Sequence, residues 1–235
     1  MSKILAIIPA RSGSKGIKNK NIKPLNNRPL IDHTIDFAKN SNYINKLVVS
    51  TNDKFIINNY SNDKGIEIIV RPEYLCEDDS LVIDTIRHVL NNLKLNQSYI
   101  PDVIILLETT SPLRSHSDLN KAVKKVINGF ADSSTAFKKS SISPNRMWKI
   151  KNEDVEPYIN DSSPFLSRQN QPEAFELTGQ FYVISNSILQ KETKSISLLK
   201  GRVYPIVSST KFSFDIDTED DFLIVEQIFK YLNEK

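Results

Sequence analysis

Apolar and polar positions follow two different periods along this chain, and the changes of period mark its elements. Short, almost uninterrupted apolar runs occur at Lys3–Pro9, Lys46–Ser50, Glu67–Val70 and Val103–Leu107. Continuous, β-branched runs of this length are expected of parallel strands covered on both faces. Between them the apolar residues recur at helical spacing. Leu30–Lys39 carries Leu30, Ile31, Thr34, Ile35 and Ala38 on one stripe, and Lys54–Tyr60 predicts a shorter helix. Leu81–Leu93 aligns Ile83, Ile86, Val89, Leu90 and Leu93, and Asp118–Ile127 aligns Leu119, Ala122, Val123 and Val126. The alternation of strand and helix predicts an α/β fold with a doubly wound, mostly parallel sheet.

The rhythm changes after about Asp132. Asn145–Ala174 is poor in aliphatic residues and rich in Pro, Asn, Ser and Gln, with Met147, Trp148, Tyr158 and Phe165 interspersed. A self-contained core is hard to build from this composition. Structureless loops of such length are uncommon in compact domains, so an arm packing on a second subunit is expected. Regular pattern returns at Gln180–Ile184 and Val203–Val207. Thr218-Glu-Asp-Asp221 then reads as a capping-box start for a last helix over Phe222–Leu232.

Composition narrows the classes of function. At 235 residues the chain is long enough for one domain, 1–235, with an excursion at 145–174. A net charge of +3 is too small for a protein that coats nucleic acid. Cys76 is the only cysteine, so an intrachain disulfide and a cysteine-based zinc site are both excluded. A reducing cytoplasm suits this. The longest apolar runs fall far below the roughly 18–20 residues of a membrane helix, so no membrane association is expected. Met1–Ala10 has the outline of a signal peptide, but its run is short and passes at once into charged loop residues.

Three segments carry candidate chemistry. The first strand empties into Ala10-Arg-Ser-Gly-Ser-Lys-Gly16, where small residues let backbone amides approach an anion and Arg11, Lys15, Lys18 and Lys20 supply charge. This is neither a Walker loop nor a dinucleotide fingerprint, but its place at a strand end points to a polyphosphate. Asp215 and Asp217 are separated by one residue and can share a divalent cation with substrate phosphates. Glu108-Thr-Thr-Ser111 leaves the fourth strand beside the first loop and offers hydroxyls for a sugar. Arg114 closes the same segment, with a plain surface charge as its alternative reading. The histidines His33, His88 and His116 fall on or near helices and read as structural.

In this order, Ile8-Pro-Ala-Arg-Ser-Gly-Ser-Lys-Gly16, Lys18-Asn-Lys-Asn21, Val49-Ser-Thr-Asn52, Arg71-Pro-Glu-Tyr-Leu75, Leu107–Arg114, Gly179-Gln-Phe-Tyr182 and Asp215-Ile-Asp-Thr218 resemble the nonulosonate cytidylyltransferases. That family includes the CMP-sialic acid synthetases and their legionaminic- and pseudaminic-acid relatives. The resemblance implies a Rossmann-like nucleotide-diphospho-sugar transferase fold with a dimerisation arm at 145–174, and hence a homodimer. It implies a nucleotidyltransferase that joins CTP to a sugar acid and releases pyrophosphate. By that resemblance Arg11, Lys20 and Asp217 are catalytic, and Ala10, Arg11, Ser12, Gly13, Lys15, Asn21, Arg71 and Ser80 surround CTP. Glu108, Thr109, Thr110, Ser111, Thr178 and Gln180 face the sugar, joined by Arg146 and Arg168 from the partner subunit's arm. Asp215 and Asp217 hold Mg²⁺. The general base stays open between a metal-bound hydroxide and Asp217.

The departures cluster around the sugar. Many relatives carry Gln-Pro-Thr-Ser-Pro where this chain has Glu108-Thr-Thr-Ser-Pro112, and Asn-Gly-Ala where it has Thr178-Gly-Gln180. A carboxylate at 108 repels a sugar acid unless it accepts from hydroxyl, amide or amidine groups. A bacterial diamino or otherwise modified nonulosonate is therefore expected in place of N-acetylneuraminate. Two other readings use the same residues: a metal-dependent glycosyltransferase working through the Asp-x-Asp pair, and a non-catalytic dimeric nucleotide sensor.

Overall fold

The apolar runs form the centre of a seven-stranded sheet in a computed structural model that describes residues 2–13, 16–210 and 212–233. In chain order the elements are β1 (Ile4–Pro9), the short pair β2 (Pro24–Leu25) and β3 (Arg28–Pro29), α1 (Leu30–Lys39), β4 (Lys46–Thr51), α2 (Lys54–Tyr60), β5 (Glu67–Val70), α3 (Val82–Gln97), β6 (Val103–Leu106) and α4 (His116–Ile127). There follow β7 (Ser133–Lys139), β8 (Trp148–Lys151), β9 (Asp154–Pro157), β10 (Phe175–Ser185), α5 (Asn186–Lys191), β11 (Val203–Val207) and α6 (Glu219–Asn233). The sheet order is β11-β7-β10-β6-β1-β4-β5. β1 runs parallel to β4 and β6, and β4 parallel to β5, whereas β10 lies antiparallel to β6 with Tyr182 opposite Leu106. The α/β fold with a mixed, mostly parallel sheet is thus the one the strand–helix alternation predicts.

Alternate residues of β1 feed two cores. Ile4, Ala6 and Ile8 pack with α1 and α4 through Ile31, Ile35, Leu119 and Val123. Leu5 and Ile7 pack on the other face with Ile83, Ile86, Val89 and Leu93 of α3. A third cluster lies at the sheet's edge: Ile17, Leu25, Leu30, Leu113, Ile216, Phe222 and Val225. It matters for function, because it clamps the loop after β1 to the extended strap before α6. The capping box also forms, with Thr218 N donating to Asp221 Oδ2 at 2.8 Å and Asp221 N to Thr218 Oγ1 at 3.2 Å. Among the described residues no helix is long and apolar enough to cross a membrane.

The chain divides into two compact units, one formed by residues 1–136 and 178–235, the other by 137–177. The smaller unit contains the β8–β9 hairpin, whose turn places Asn152 and Glu153 at positive φ. Gln171 ties its own segment together, donating from Nε2 to the carbonyls of Ser163 at 2.9 Å and Leu166 at 3.2 Å. No residue of 137–177 is buried. Met147, Trp148, Ile150, Tyr158 and Phe165 are all exposed, and Phe165 reaches 90%.

Candidate active site

A cleft of about 340 Å³ opens at the carboxyl ends of β1, β5 and β6 in the larger unit. Its lining gathers Arg11, Gly16, Lys20, Asn21, Arg71, Ser80, Glu108, Thr109, Thr110 and Asp217 from distant parts of the sequence, with Pro9, Leu75, Val82 and Thr85 between them. The switch-point rule places a ligand at this edge.

The loop after β1 is fixed by its own backbone. Ala10 N donates to the Ser50 carbonyl at 3.0 Å, and Thr51 Oγ1 donates to the Ala10 carbonyl at 2.5 Å. Ser12 N donates to Asn52 Oδ1 at 2.8 Å. The amides of Ala10 and Ser12, expected to face the nucleotide, are therefore engaged within the protein, and Ala10 is buried. Gly13 has a left-handed φ of +77° and is not among the lining residues. Lys15 lies outside the described residues. Gly16 makes the closest approach: an added Cβ would stand 2.1 Å from the Asp217 carbonyl oxygen.

Four polar side chains define the walls. Arg11 donates to the Cys76 carbonyl and to Asp78 Oδ1, both at 2.9 Å, tying the first loop to the segment after β5. Lys20 Nζ donates to the Ile216 carbonyl at 2.7 Å and lies 3.5 Å from Asp217 Oδ1. Asn21 bridges two motifs, donating to the Arg11 carbonyl at 2.9 Å and accepting from Thr109 Oγ1 at 2.6 Å. Arg71 is buried beside Ser50, with Nη2 2.9 Å from its carbonyl and Nε 3.3 Å from its Oγ. Among the described residues Arg71 has no carboxylate partner. Burial pushes its guanidinium down to about 10, the thiol of Cys76 opposes this slightly, and Arg11 adds to it.

The acidic side is built from the turn after β6 and the strap before α6. Ile216 is fully buried and its N–H donates to the Thr110 carbonyl at 2.8 Å, which leaves Asp215 and Asp217 exposed on either side of it. Ser111 Oγ donates to Asp215 Oδ1 at 3.2 Å. Burial, and then the Asp215 carboxylate, push the Glu108 carboxyl up to about 7. Burial, then Glu108, also push the Tyr182 phenol up to about 12.

The structure separates the residues expected around the sugar. Glu108, Thr109 and Thr110 line the cleft, but Ser111, Thr178 and Gln180 stand behind it. Thr178 Oγ1 donates to the Ala136 carbonyl at 3.1 Å. Gln180 Nε2 lies 3.3 Å from both Ser208 Oγ and Ser213 Oγ. Arg114 is an inward-pointing guanidinium with three acceptors, which rules out its alternative reading as a surface charge. Arg146 and Arg168 belong to the smaller unit, where both border one cavity of about 740 Å³. The sequence reading missed Thr85, which sits beside the apolar stripe of α3, and Asp78 with its grip on Arg11. Its only signal for Asp78 was the acidic run Glu77-Asp-Asp79.

A parallel-centred sheet with a basic loop after β1 and an acidic strap facing it defines a nucleotidyltransferase fold. Two solved structures share it. One is a CMP:2-keto-3-deoxy-manno-octonic acid synthetase complexed with CTP (TM-score 0.70, 17% identity, 98% of this chain and 99% of that one). The other is a 4-diphosphocytidyl-2C-methyl-D-erythritol synthase (TM-score 0.71, 11% identity, 97% and 99%). The family model described as cytidylyltransferase matches residues 5–200, and the chain belongs to that family. It is 30% identical over 233 residues to the post-translational flagellin modification protein B of Campylobacter coli, covering 99% of this chain and 97% of that protein. It is 28% identical to the CMP-N,N'-diacetyllegionaminic acid synthase of Legionella pneumophila, covering 97% of each. It is also 28% identical to the N-acylneuraminate cytidylyltransferase of Streptococcus agalactiae serotype V, covering 95% of this chain. The chain spans about half the length of that relative, 52%. These findings bear out the resemblance carried by the motifs.

Proposed function

We propose that this chain transfers CMP from CTP to the anomeric hydroxyl of a nonulosonic acid, releasing pyrophosphate. The observation that carries this reading is Arg71. A buried guanidinium without a carboxylate partner among the described residues, at the wall of a cleft that also holds Arg11 and Lys20, calls for an acceptor from a ligand. A cytosine carbonyl supplies one, with Ser80 and Asn21 beside it. Arg11 and Lys20 then meet the phosphates, and Lys20 stands where negative charge builds as pyrophosphate leaves. The cleft holds the two anionic substrates together for in-line attack by the sugar oxygen on the α-phosphorus.

Asp215 and Asp217 form a hard, all-oxygen donor pair, and among the described residues no group of three His, Cys, Asp or Glu side chains is placed to hold a metal ion by itself. Such a pair fits Mg²⁺, which takes one or two carboxylates and completes its shell with water and substrate phosphates. When bound there, Mg²⁺ supplies charge neutralisation on the phosphates. The protein's own part is to fix both carboxylates through the buried Ile216 between them.

We read 145–174, which lies within the unit 137–177, as a dimerisation arm. A unit without a single buried residue and with Trp148, Ile150 and Phe165 exposed gains its core from a second copy. Arg146 and Arg168 would then reach the partner's sugar site.

The test is pyrophosphate release with CTP, Mg²⁺ and a panel of nonulosonates. Release with CTP alone indicates hydrolysis, and no release with any acceptor overturns the proposal. Arg71→Met is expected to weaken CTP binding by roughly 10- to 100-fold, the worth of a charged hydrogen bond. It is also expected to raise the melting temperature, because a buried unpaired charge is removed. Calorimetric titration and thermal melts check both. Glu108→Gln is expected to shift relative turnover from N,N'-diacetyllegionaminate toward N-acetylneuraminate. An unchanged ratio removes Glu108 as the determinant of sugar choice.

A further inference from the structure

Arg114 uses one guanidinium to join three elements. Nε donates to the Gln180 carbonyl of β10 at 2.6 Å, Nη1 to Thr34 Oγ1 of α1 at 3.0 Å, and Nη2 to the Glu108 carbonyl after β6. All three acceptors are neutral. Burial therefore pushes the group down to about 9, and the carboxylates of Glu108 and Asp215 pull it back up.

Of the two carbonyls it holds, one belongs to the turn that carries the acidic side of the cleft and the other to β10, which packs against the strap. One is the backbone of Glu108 itself. The other is Gln180, next to Gly179, which has a left-handed φ of +67°. A Cβ at Gly179 would stand 2.6 Å from Ser111 Oγ and 3.5 Å from Asp215 Oδ2, so this backbone packs directly against the Ser111–Asp215 hydrogen bond. None of the three acceptors belongs to Arg11, Lys20, Asn21 or Arg71, the residues on the nucleotide side.

We infer that Arg114 is a positioning residue, which sets from behind the cleft where the Glu108 and Asp215 carboxylates stand. An apolar side chain there would leave three acceptors unmet. A lysine would keep the charge without the planar fork that spans them. Like charges at Glu108 and Asp215 repel, and a fixed guanidinium that attracts both offsets this.

The kinetic readout of this inference rests on the cytidylyltransfer reading, and its stability readout does not. Arg114→Lys is expected to bind CTP within about twofold of wild type and to lose roughly 100-fold in kcat/KM for the sugar acid, the effect of a misplaced reacting group. A parallel loss of CTP affinity, or a loss matching only the unfolded fraction in a melt, overturns the inference. Should Arg114→Lys fail to fold, Thr34→Val removes one acceptor, keeps the charge and is read by the same split. A double-mutant cycle of denaturation midpoints, pairing Arg114→Lys with Glu108→Gln, stands apart from activity. Of Glu108, Arg114 bonds only the carbonyl, which Glu108→Gln preserves, and Arg114→Lys keeps the charge that attracts the carboxylate, so a mere structural clasp gives additive shifts. Non-additive shifts support positioning of the carboxyl, and additive ones overturn it. Wild type releasing no pyrophosphate with any acceptor would overturn the proposed function alone and leave this cycle to decide on Arg114.

Discussion

Gly16→Ala is expected to lower turnover of CTP roughly 100-fold, since small displacements at a reacting centre are that costly. The alanine Cβ would stand 2.1 Å from the Asp217 carbonyl oxygen, and both partners of that clash are backbone. No rotamer change relieves it, so the basic loop and the acidic strap must part. Both are anchored within one residue of the clash, by Ile17 and Ile216 in the third core cluster. The shift therefore passes to Lys20, which reaches the Ile216 carbonyl at 2.7 Å. Overpacking of this kind destabilises by about 1–3 kcal/mol, so the variant is expected to fold. Gly65→Ala is the control: its nearest neighbour is the flexible Lys39 Cε at 3.1 Å, and near-normal turnover is expected. Steady-state kinetics beside thermal melts check the pair. Normal turnover in Gly16→Ala would contradict the loop–strap contact as part of the site.

The parallel centre of the sheet was legible because burial on both faces leaves an unbroken apolar run. α1 was predicted at Leu30–Lys39, the range the structure has, since every third or fourth residue points into the core. α3 runs four residues beyond its apolar stripe to Gln97, where Ser98 closes it in the left-handed region at φ 53°. A serine in that role carries little sequence signal. β7 escaped for a different reason. It opens with Ser133, Ser134 and Thr135, polar residues that are fully buried. Their hydroxyls donate to the carbonyls of Lys200, Tyr204 and Phe181 at 2.7–2.8 Å, so the burial is satisfied by partners far away in sequence. The β2–β3 turn did have a local mark, with Asn26 and Asn27 both at positive φ.

In the site, Arg11, Arg71 and Glu108 were legible because their motifs lie at strand ends, and Lys20, Asn21 and Asp217 through the motifs of the loop and the strap; all six reach the cleft. The supporting layer was not. Thr178 and Gln180 sit on a strand whose side chains alternate, and the sequence does not say which partners lie behind each face. Arg114 looked exposed because its neighbours Ser115 and His116 begin a helix. Only the three-dimensional arrangement of Thr34, Glu108 and Gln180 draws it inward.

Glu108→Gln is expected to stabilise the protein at pH 8 and to lose that advantage as the pH falls toward 5. In the unfolded chain the Glu108 carboxyl ionises near its ordinary value of 4.5, whereas in the folded chain burial and Asp215 raise this to about 7. Between those values the unfolded state has released a proton that the folded state keeps, so stability declines as pH rises through the window. Below it both states are protonated and the group contributes nothing. Above it the penalty is complete, and at roughly 1.4 kcal/mol per unit it approaches about 3.5 kcal/mol as an upper bound. Partial exposure of the side chain brings the expected value to about 1–2 kcal/mol. Glutamine has no proton to release and keeps the shape. Chemical denaturation of both proteins from pH 5 to 8.5, without nucleotide or divalent cation, reads the difference directly. Parallel stability curves would contradict the burial of the carboxyl. A difference that grows with pH means that the chain carries an acid where an amide is more stable. The return for that cost then lies in what the carboxyl does to a bound sugar, which is the substrate-preference experiment on the same variant.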